Sequence, residues 1–191
     1  LYTRKGDTGT TKTFGCDQRI SKSSAVAEAL GSLDEINSFL GLCKVKCEEG
    51  NFESKDLFLS PQKGEALAFK NIVHAVQENL FIIQAQIAGA DKKIEAEKIK
   101  ELEDFINLAE KELPPIKTFF ISGGTELASL FDIARTVARR AERRVVAVSE
   151  EKLALVGTET LAYLNRLSSL LYALARLSNH KSGIKETSPK Y

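Results

Sequence analysis

Disulfide and metal chemistry have little material in this sequence. It holds three cysteines, Cys16, Cys43 and Cys47, in an odd count without paired spacing, and two isolated histidines, His74 and His180. Such a set fits free thiols in a reducing compartment and excludes a disulfide framework. Cys43 and Cys47 stand four apart and could share a helix face as half of a metal site. Neither histidine is near them in sequence to complete it, and no metal-ligand set is identified. Charge of one sign is also missing: 27 basic residues face 26 acidic ones, for a net charge of +1. Composition therefore gives no argument for nucleic-acid or anionic-membrane binding, and any positive site must be local. Apolar runs are short, each broken by polar residues within about ten positions, against the ~20 that a bilayer span requires. The opening LYTRKGDTGTT has neither an apolar core nor a cleavage pattern, which argues against a signal peptide. Methionine is absent, so the numbering is expected to begin after the initiator. These absences point to a cytoplasmic protein with no nucleic acid and no membrane among its partners.

What is present is helical periodicity. At 191 residues the chain is long enough for one domain with a substantial core, expected to span residues 1–191. Apolar residues recur at helical spacing in five segments. The first runs from about Ser24 to Cys47 and is followed by a polar connection, Glu48 to Lys63. The second covers about Gly64 to Ala90. The third, about Ile94 to Glu112, stops at Pro114-Pro115. A short apolar passage, Thr118 to Gly124, ends in a glycine pair. The fourth helix spans Glu126 to Ser149, and the fifth, rich in leucine, about Gly157 to His180. Period-two alternation is too short for a sheet, with the first dozen residues as the one possible exception. The fold class is all-α, an antiparallel five-helix bundle. A Gly/Thr-rich segment, residues 1–23, precedes it, and a polar tail, 182–191, is expected to fray.

The fourth helix carries RTVARRAERR, with five arginines and no lysine in ten residues. Arg135, Arg139 and Arg143 fall on one helix face, with Glu142 a turn from Arg139. Like charges four apart cost a helix roughly 0.2–0.5 kcal/mol per pair, so the stripe needs a compensating partner. The guanidinium fork matches carboxylate and phosphate bidentately, which an ammonium cannot do. A charge run is often only a solvated face. Here the flanking Ile133, Val137, Val145 and Val146 indicate a helix largely inside a bundle, and an anion site is the preferred reading. Asp34-Glu35 in the first helix is the carboxylate pair available to answer these arginines. Asn165, set among leucines in the fifth helix, makes either a buried structural bond or a ligand contact.

The segment TRKGDTGTTKT, Thr3 to Thr13, concentrates five threonines, two glycines and three basic residues. Glycines allow close backbone approach, and successive amides in such a turn form an anion-binding concavity. Arg4, Lys5 and Lys12 add charge; Asp7 either braces the loop or holds a magnesium ion beside substrate phosphates. The Walker pattern is absent, so this is not a P-loop NTPase. Ser21-Lys22 precedes the first helix, where an anion would meet both a helix N-terminus and an ammonium group.

Four stretches, TRKGDTGTTKTFG, SLDEINSFLG, FFISGGTELAS…ARTVARRAERRVV and YLNRLSSLLYALAR, resemble the PduO-type ATP:cob(I)alamin adenosyltransferases in order and spacing. The resemblance covers nearly the whole chain, apart from the second and third helices and the connection before them. It implies a homotrimer with active sites between subunits, and transfer of the 5′-deoxyadenosyl group of ATP to cob(I)alamin with release of triphosphate. It places ATP contacts on Thr3, Arg4, Lys5, Gly6, Asp7, Thr11, Lys12, Lys22, Arg139, Arg140, Glu142, Arg143 and Asn165. It pairs Arg135 with Asp34 of a neighbouring subunit and sets Phe119 beneath the corrin, so that Arg135, Arg139, Asp34 and Phe119 form the catalytic set. ATP, magnesium and cobalamin are the implied cofactors and substrates, with a flavin-type reductase and an adenosylcobalamin-dependent mutase as partners. A rival reading is a degenerate relative that carries or senses ATP or corrinoid without turnover.

Three positions depart from the family pattern. Ser122 stands where a proline is usual, which would loosen the loop carrying Phe119. Asp132 replaces a common histidine and would compete with Asp34 for Arg135. Ser169 replaces the usual aspartate after the NRLS segment.

Overall fold

A computed structural model describes residues 2–14, 18–49, 58–59 and 66–191. Five helices dominate: α1 (Ala25–Glu49), α2 (Phe69–Ile87), α3 (Ala96–Glu112), α4 (Glu126–Glu150) and α5 (Thr158–Lys181). Two antiparallel ladders accompany them. Strand β1 (Thr10–Thr11) pairs with β2 (Ile20–Ser21), and β3 (Phe58–Leu59) with β4 (Ala66–Leu67). The second ladder corrects the expected start of the second helix. Ala66 and Leu67 pair with β3, Ala68 is extended, and α2 begins only at Phe69. Cys16 and most of the Glu48 to Lys63 connection lie outside the described residues.

Local chemistry sets the helix ends. Ser24 Oγ accepts from Ala27 N at 3.3 Å, and Thr125 Oγ1 accepts from Ala128 N at 3.0 Å, so α1 and α4 each begin at a hydroxyl cap. The α3 helix stops at Leu113, whose extended backbone is what a following proline demands. At the end of α5, Gly183 takes φ +70°, and Ile184 N bonds back to Asn179 O at 2.9 Å. That closure turns the chain back along the helix end.

Cross-helix pairs fix an up-down-up-down-up arrangement. Glu28 faces Arg144 while Lys46 faces Glu126, so α1 and α4 are antiparallel. Glu142 meets Asn165 while Arg135 lies over Tyr172, so α4 and α5 are antiparallel as well. Helix α1 packs on α2 and α4, and α5 on α3 and α4. Between them lies one core that includes Leu33, Leu40, Ile72, Phe131, Leu164 and Leu167. Each such side chain contributes roughly 1.5–3 kcal/mol by leaving water. Tyr163 is fully buried and its hydroxyl accepts from Asn79 Nδ2 at 3.1 Å; burial pushes its pKa upward. Cys43 and Cys47 are buried, and burial raises the Cys43 pKa to about 12. Among the described residues no helix is long and apolar enough to cross a membrane.

The terminal segment departs from the expected frayed tail. Glu186 receives the Arg176 guanidinium at 2.8–3.0 Å, and Thr187 O accepts from Ile121 N at 2.9 Å. A carboxylate placed over a buried arginine gives polar sequence a reason to dock.

Candidate functional site

The N-terminal segment is a compact turn built on the β1–β2 ladder. Asp7 N bonds to Arg4 O and Gly9 N to Gly6 O, while Lys22 N bonds to Gly9 O at 2.9 Å. Arg4 takes φ 59°, rare for a residue with a side chain, and its guanidinium lies 5.5 Å over the Tyr2 ring. The Lys22 ammonium sits so close to Gly6 that a Cβ there would stand 3.0 Å from its nitrogen. Gly6 and Lys22, sixteen positions apart, are thus brought together at the entrance to α1. Arg19 holds the turn closed. Its Nε donates to Thr10 Oγ1 at 2.7 Å, and its Nη2 to the carbonyls of Lys5 and Thr10. Thr3, Arg4, Lys5, Asp7, Lys12 and Lys22 are exposed around this turn, with Thr11 half-buried in the ladder. Several cationic groups share one open surface on a fixed backbone.

Beside it runs the α4 stripe. Ala134, Ala138, Ala141, Val145 and Val148 are buried, and Arg139, Arg140, Arg143 and Arg144 point outward from the opposite face. Ile133, expected inside, is exposed. The carboxylates of α1 answer part of the charge: Glu35 pairs with Arg140 and Glu28 with Arg144. It is therefore Glu35, not Asp34, that meets an arginine within the chain. Arg143 Nη1 donates to Arg139 O at 3.2 Å. Arg139 has no carboxylate partner among the described residues. Asn165 is exposed rather than buried, and its Nδ2 donates to Glu142 Oε1 at 3.2 Å, while its Oδ1 accepts from Arg166. Glu28 lies six residues after Lys22, so the Arg140–Arg144 end of α4 lies beside the start of α1, to which the N-terminal turn is attached.

At the other end of α4 a cavity of about 560 Å³ opens between the 116–123 loop, α4 and α5. Arg135, Asp132, Tyr172, Arg176 and Glu186 supply its polar wall, and Phe119, Phe120 and Ile121 its apolar one. Successive residues of an extended segment point to opposite sides, and the two phenylalanines divide accordingly. Phe120 is half-buried with the Arg176 guanidinium 5.0 Å from its ring centre. Phe119 is 78% exposed. Arg135 Nε lies 3.7 Å from Asp132 Oδ1, beyond hydrogen-bond reach, and is buried with no hydrogen-bond partner among the described residues. Burial raises the Tyr172 pKa, with Arg176 opposing that shift.

Asp34 and Arg135 do not meet within one chain. Asp34 is exposed and lines a shallow groove with Leu30, Gly31, Phe81 and Gln84 on α1 and α2, whereas Arg135 faces the cavity. Sequence reasoning missed Arg19, Arg176, Asn179 and Glu186. Arg176 and Asn179 left a signal: both are strongly polar residues at core-facing positions of a leucine-rich helix, only 5% and 7% exposed. Arg19 left none, since its partners are two backbone carbonyls and one threonine hydroxyl that no local pattern links to it.

Residues 1–178 match the family model described as cobalamin adenosyltransferase. The corrinoid adenosyltransferase of Bacillus subtilis is 39% identical over 191 residues, covering 96% of this chain and 89% of that protein. The corrinoid adenosyltransferase PduO of Citrobacter freundii is 38% identical over 187 residues, covering 94% of this chain and 50% of that protein. The chain thus spans about half the length of that relative. Among solved structures, a phenylalanine-to-histidine variant of a PduO-type ATP:corrinoid adenosyltransferase from Lactobacillus reuteri, complexed with cobalamin and ATP, aligns with TM-score 0.83 at 27% identity. That alignment covers 100% of this chain and 96% of the other.

Proposed function

The chain belongs to the cobalamin adenosyltransferase family, and on that premise we propose that it transfers the 5′-deoxyadenosyl group of ATP to the cobalt of a reduced corrinoid. In this reaction the Co(I) lone pair attacks C5′, the Co–C bond forms, and the C5′–O bond breaks with its electrons leaving on triphosphate. The observation that carries the reading is the extent of the family match. Its bounds, residues 1–178, take in the N-terminal turn, the arginine block of α4 and Asn165 of α5.

The geometry supports a division of labour. Co(I) is itself the nucleophile, so the protein's tasks are to align C5′ with cobalt and to stabilise the departing charge. Alignment alone is worth roughly 7–11 kcal/mol. Lys5, Lys12 and Lys22 of the turn, with Arg139 and Arg143 of α4, act as preorganised cations on the departing triphosphate, and Gly6 lets the backbone approach it closely. Thr3, Arg4, Thr11, Arg140, Glu142 and Asn165 complete the ATP surface. Magnesium fits as an ion carried mainly by the phosphates. Asp7 is the one carboxylate of residues 3–13, and the described residues hold no cluster of three or more metal-binding side chains. When bound it would neutralise phosphate charge. The corrin lies against Phe119 at the mouth of the cavity. A volume of about 560 Å³ admits only part of a corrinoid, so the rest faces outward.

A homotrimer completes the site. The exposed Asp34 groove of one subunit meets the Arg135 region of the next, and Arg135, whose buried Nε has no hydrogen-bond partner among the described residues, gains an acceptor. Asp34→Arg is expected to break the assembly and its activity, and Asp34→Arg with Arg135→Asp to recover part of both, measured by light scattering and turnover. A stable, fully active monomer would overturn the arrangement. A cytoplasmic setting, a flavin-type reductase supplying the electron to Co(II), and a mutase receiving the product belong to the same reading.

The test is direct. Purified protein with ATP, magnesium and chemically reduced cobalamin is expected to develop the adenosylcobalamin spectrum. Binding of both substrates without that spectrum would instead favour the carrier or sensor, a reading supported by Arg135 lying beside Asp132 of its own chain.

A further inference from the structure

The loop that carries Phe119 is held at its far end chiefly by one side chain. Asn179 of α5 is 7% exposed, and both halves of its amide are used. Oδ1 accepts from Thr125 N at 2.9 Å, and Nδ2 donates to Gly123 O at 2.8 Å. The amide therefore spans Gly124. At φ +110° Gly124 turns the position of a Cβ straight into Asn179, where any side chain would collide with the amide. A second contact comes from α4, where Asp132 Oδ2 accepts from Gly123 N at 3.4 Å. Upstream, Arg176, one turn before Asn179 on α5, stacks on Phe120 and donates to Pro114 O. Phe120 is thereby drawn inward, while Phe119, 78% exposed, projects furthest among the apolar side chains of this stretch, ahead of Ile121 at 60%.

We propose that Asn179 is a positioning residue that fixes the 119–125 loop and thereby the place of the Phe119 ring, doing from α5 what a proline before the glycine pair would do from within the loop. This rests on the reading of Phe119 as the corrin-facing ring. Physically, a proline restricts one φ, whereas an amide bonded to both sides of Gly124 fixes the whole turn against a buried helix. Ser122 is therefore tolerated. The expectation that Ser122 loosens the loop is answered by bonds that span 54 and 56 positions in sequence, out of reach of any local motif.

Two measurements on the full chain test it. Backbone hydrogen exchange in the protein alone is the first: Asn179→Ala is expected to speed exchange at Thr125 at least tenfold while leaving the α1 and α2 amides unchanged. Unaltered exchange at Thr125 overturns the clamp, and this readout does not depend on catalysis. The second is a double-mutant cycle with Phe119→Ala, read as adenosylcobalamin formed from cob(II)alamin and a mild reductant. Asn179→Ala is expected to cost about tenfold, the worth of one to two neutral hydrogen bonds, with KM for ATP within about twofold. In the Phe119→Ala background it is expected to cost nothing further. A full tenfold loss there would show that Asn179 does not act through Phe119. If Asn179→Ala fails to fold, Asn179→Asp replaces it, keeping the acceptor for Thr125 N and removing the donor to Gly123 O. Wild-type protein that never forms adenosylcobalamin defeats the functional reading, and the exchange data still decide the clamp.

Discussion

The two ends of the α4 surface are built by opposite means. The N-terminal turn is exposed and held by its own backbone, with Arg19 tying carbonyls fourteen and nine residues upstream. The cavity wall is held from a distance by buried side chains of α5, Arg176 and Asn179, that reach residues 54 to 62 positions earlier. The turn presents cations to solvent and contributes little to the core. The wall is continuous with the core, so disturbing it disturbs the fold. Binding a flexible polyanion and seating a rigid flat ring ask for these different supports. The first needs charge at an accessible place, and the second needs a surface that does not move.

The sharpest way to break this comparison is at Glu186. Its carboxylate faces Arg176, whose side chain is 5% exposed, and Glu186→Ala would leave that guanidinium buried without its charge partner. Losing one member of a buried pair costs about 3–5 kcal/mol, lowered here because Pro114 O and the Phe120 and Tyr172 rings remain. A loss of about 2–4 kcal/mol in chemical denaturation is expected, while Lys5→Ala in the turn shifts the midpoint by no more than about 0.5 kcal/mol. Equal losses at the two sites would erase the distinction drawn above.

That contrast also separates what sequence could reveal from what it could not. The five helices were legible because apolar spacing and stop signals are local: Pro114-Pro115 ends α3 where expected. The start of α2 was not, because Ala66 and Leu67 are committed by a partner strand rather than by their own propensity. The turn announced itself through glycine, threonine and lysine crowded into a few positions. The cavity wall did not, since Arg176, Asn179 and Glu186 acquire meaning only when the tail folds back on α5. Asn165 shows the limit of a burial argument. A polar residue among leucines was expected to be a buried bond or a ligand contact, and it lies at the edge of α5, exposed beside Glu142.

On the turn side the sharper test is at Arg139. Arg140 and Arg144 are already engaged by Glu35 and Glu28, whereas Arg139 has no such neighbour among the described residues. Arg139→Ala is expected to weaken ATP binding or turnover by about 10- to 150-fold, the worth of a charge-assisted bond of ~1.5–3 kcal/mol. The melting temperature should hardly change, because the side chain is exposed. Arg144→Ala should cost less, since part of its charge is spent on Glu28. Calorimetric titration with ATP measures both, and identical affinity for Arg139→Ala and the parent would sink the phosphate assignment.

The smallest structural effect is expected at Phe119, where function and stability should come apart completely. A buried phenylalanine truncated to alanine costs ~3–5 kcal/mol, but this ring is 78% exposed, and an exposed change stays within about 0.5 kcal/mol. Phe119→Ala should therefore melt like the parent and bind ATP like it. Its loss should fall on the corrinoid. If the ring covers the lower face of the corrin as proposed, its removal lets water or a lower axial ligand reach cobalt, and Co(II) then becomes harder to reduce, because axial ligation tunes the metal's potential. Activity from cob(II)alamin with a mild reductant should drop far more than activity from preformed cob(I)alamin. Phe120→Ala provides the contrast. Its ring lies against Arg176, so truncation should lower stability by removing the stacking partner of a buried cation, worth about 0.5–2 kcal/mol, and should lower both activities together. If the split between the two assays appears in Phe120→Ala and not in Phe119→Ala, the rings have been assigned to the wrong faces of the loop.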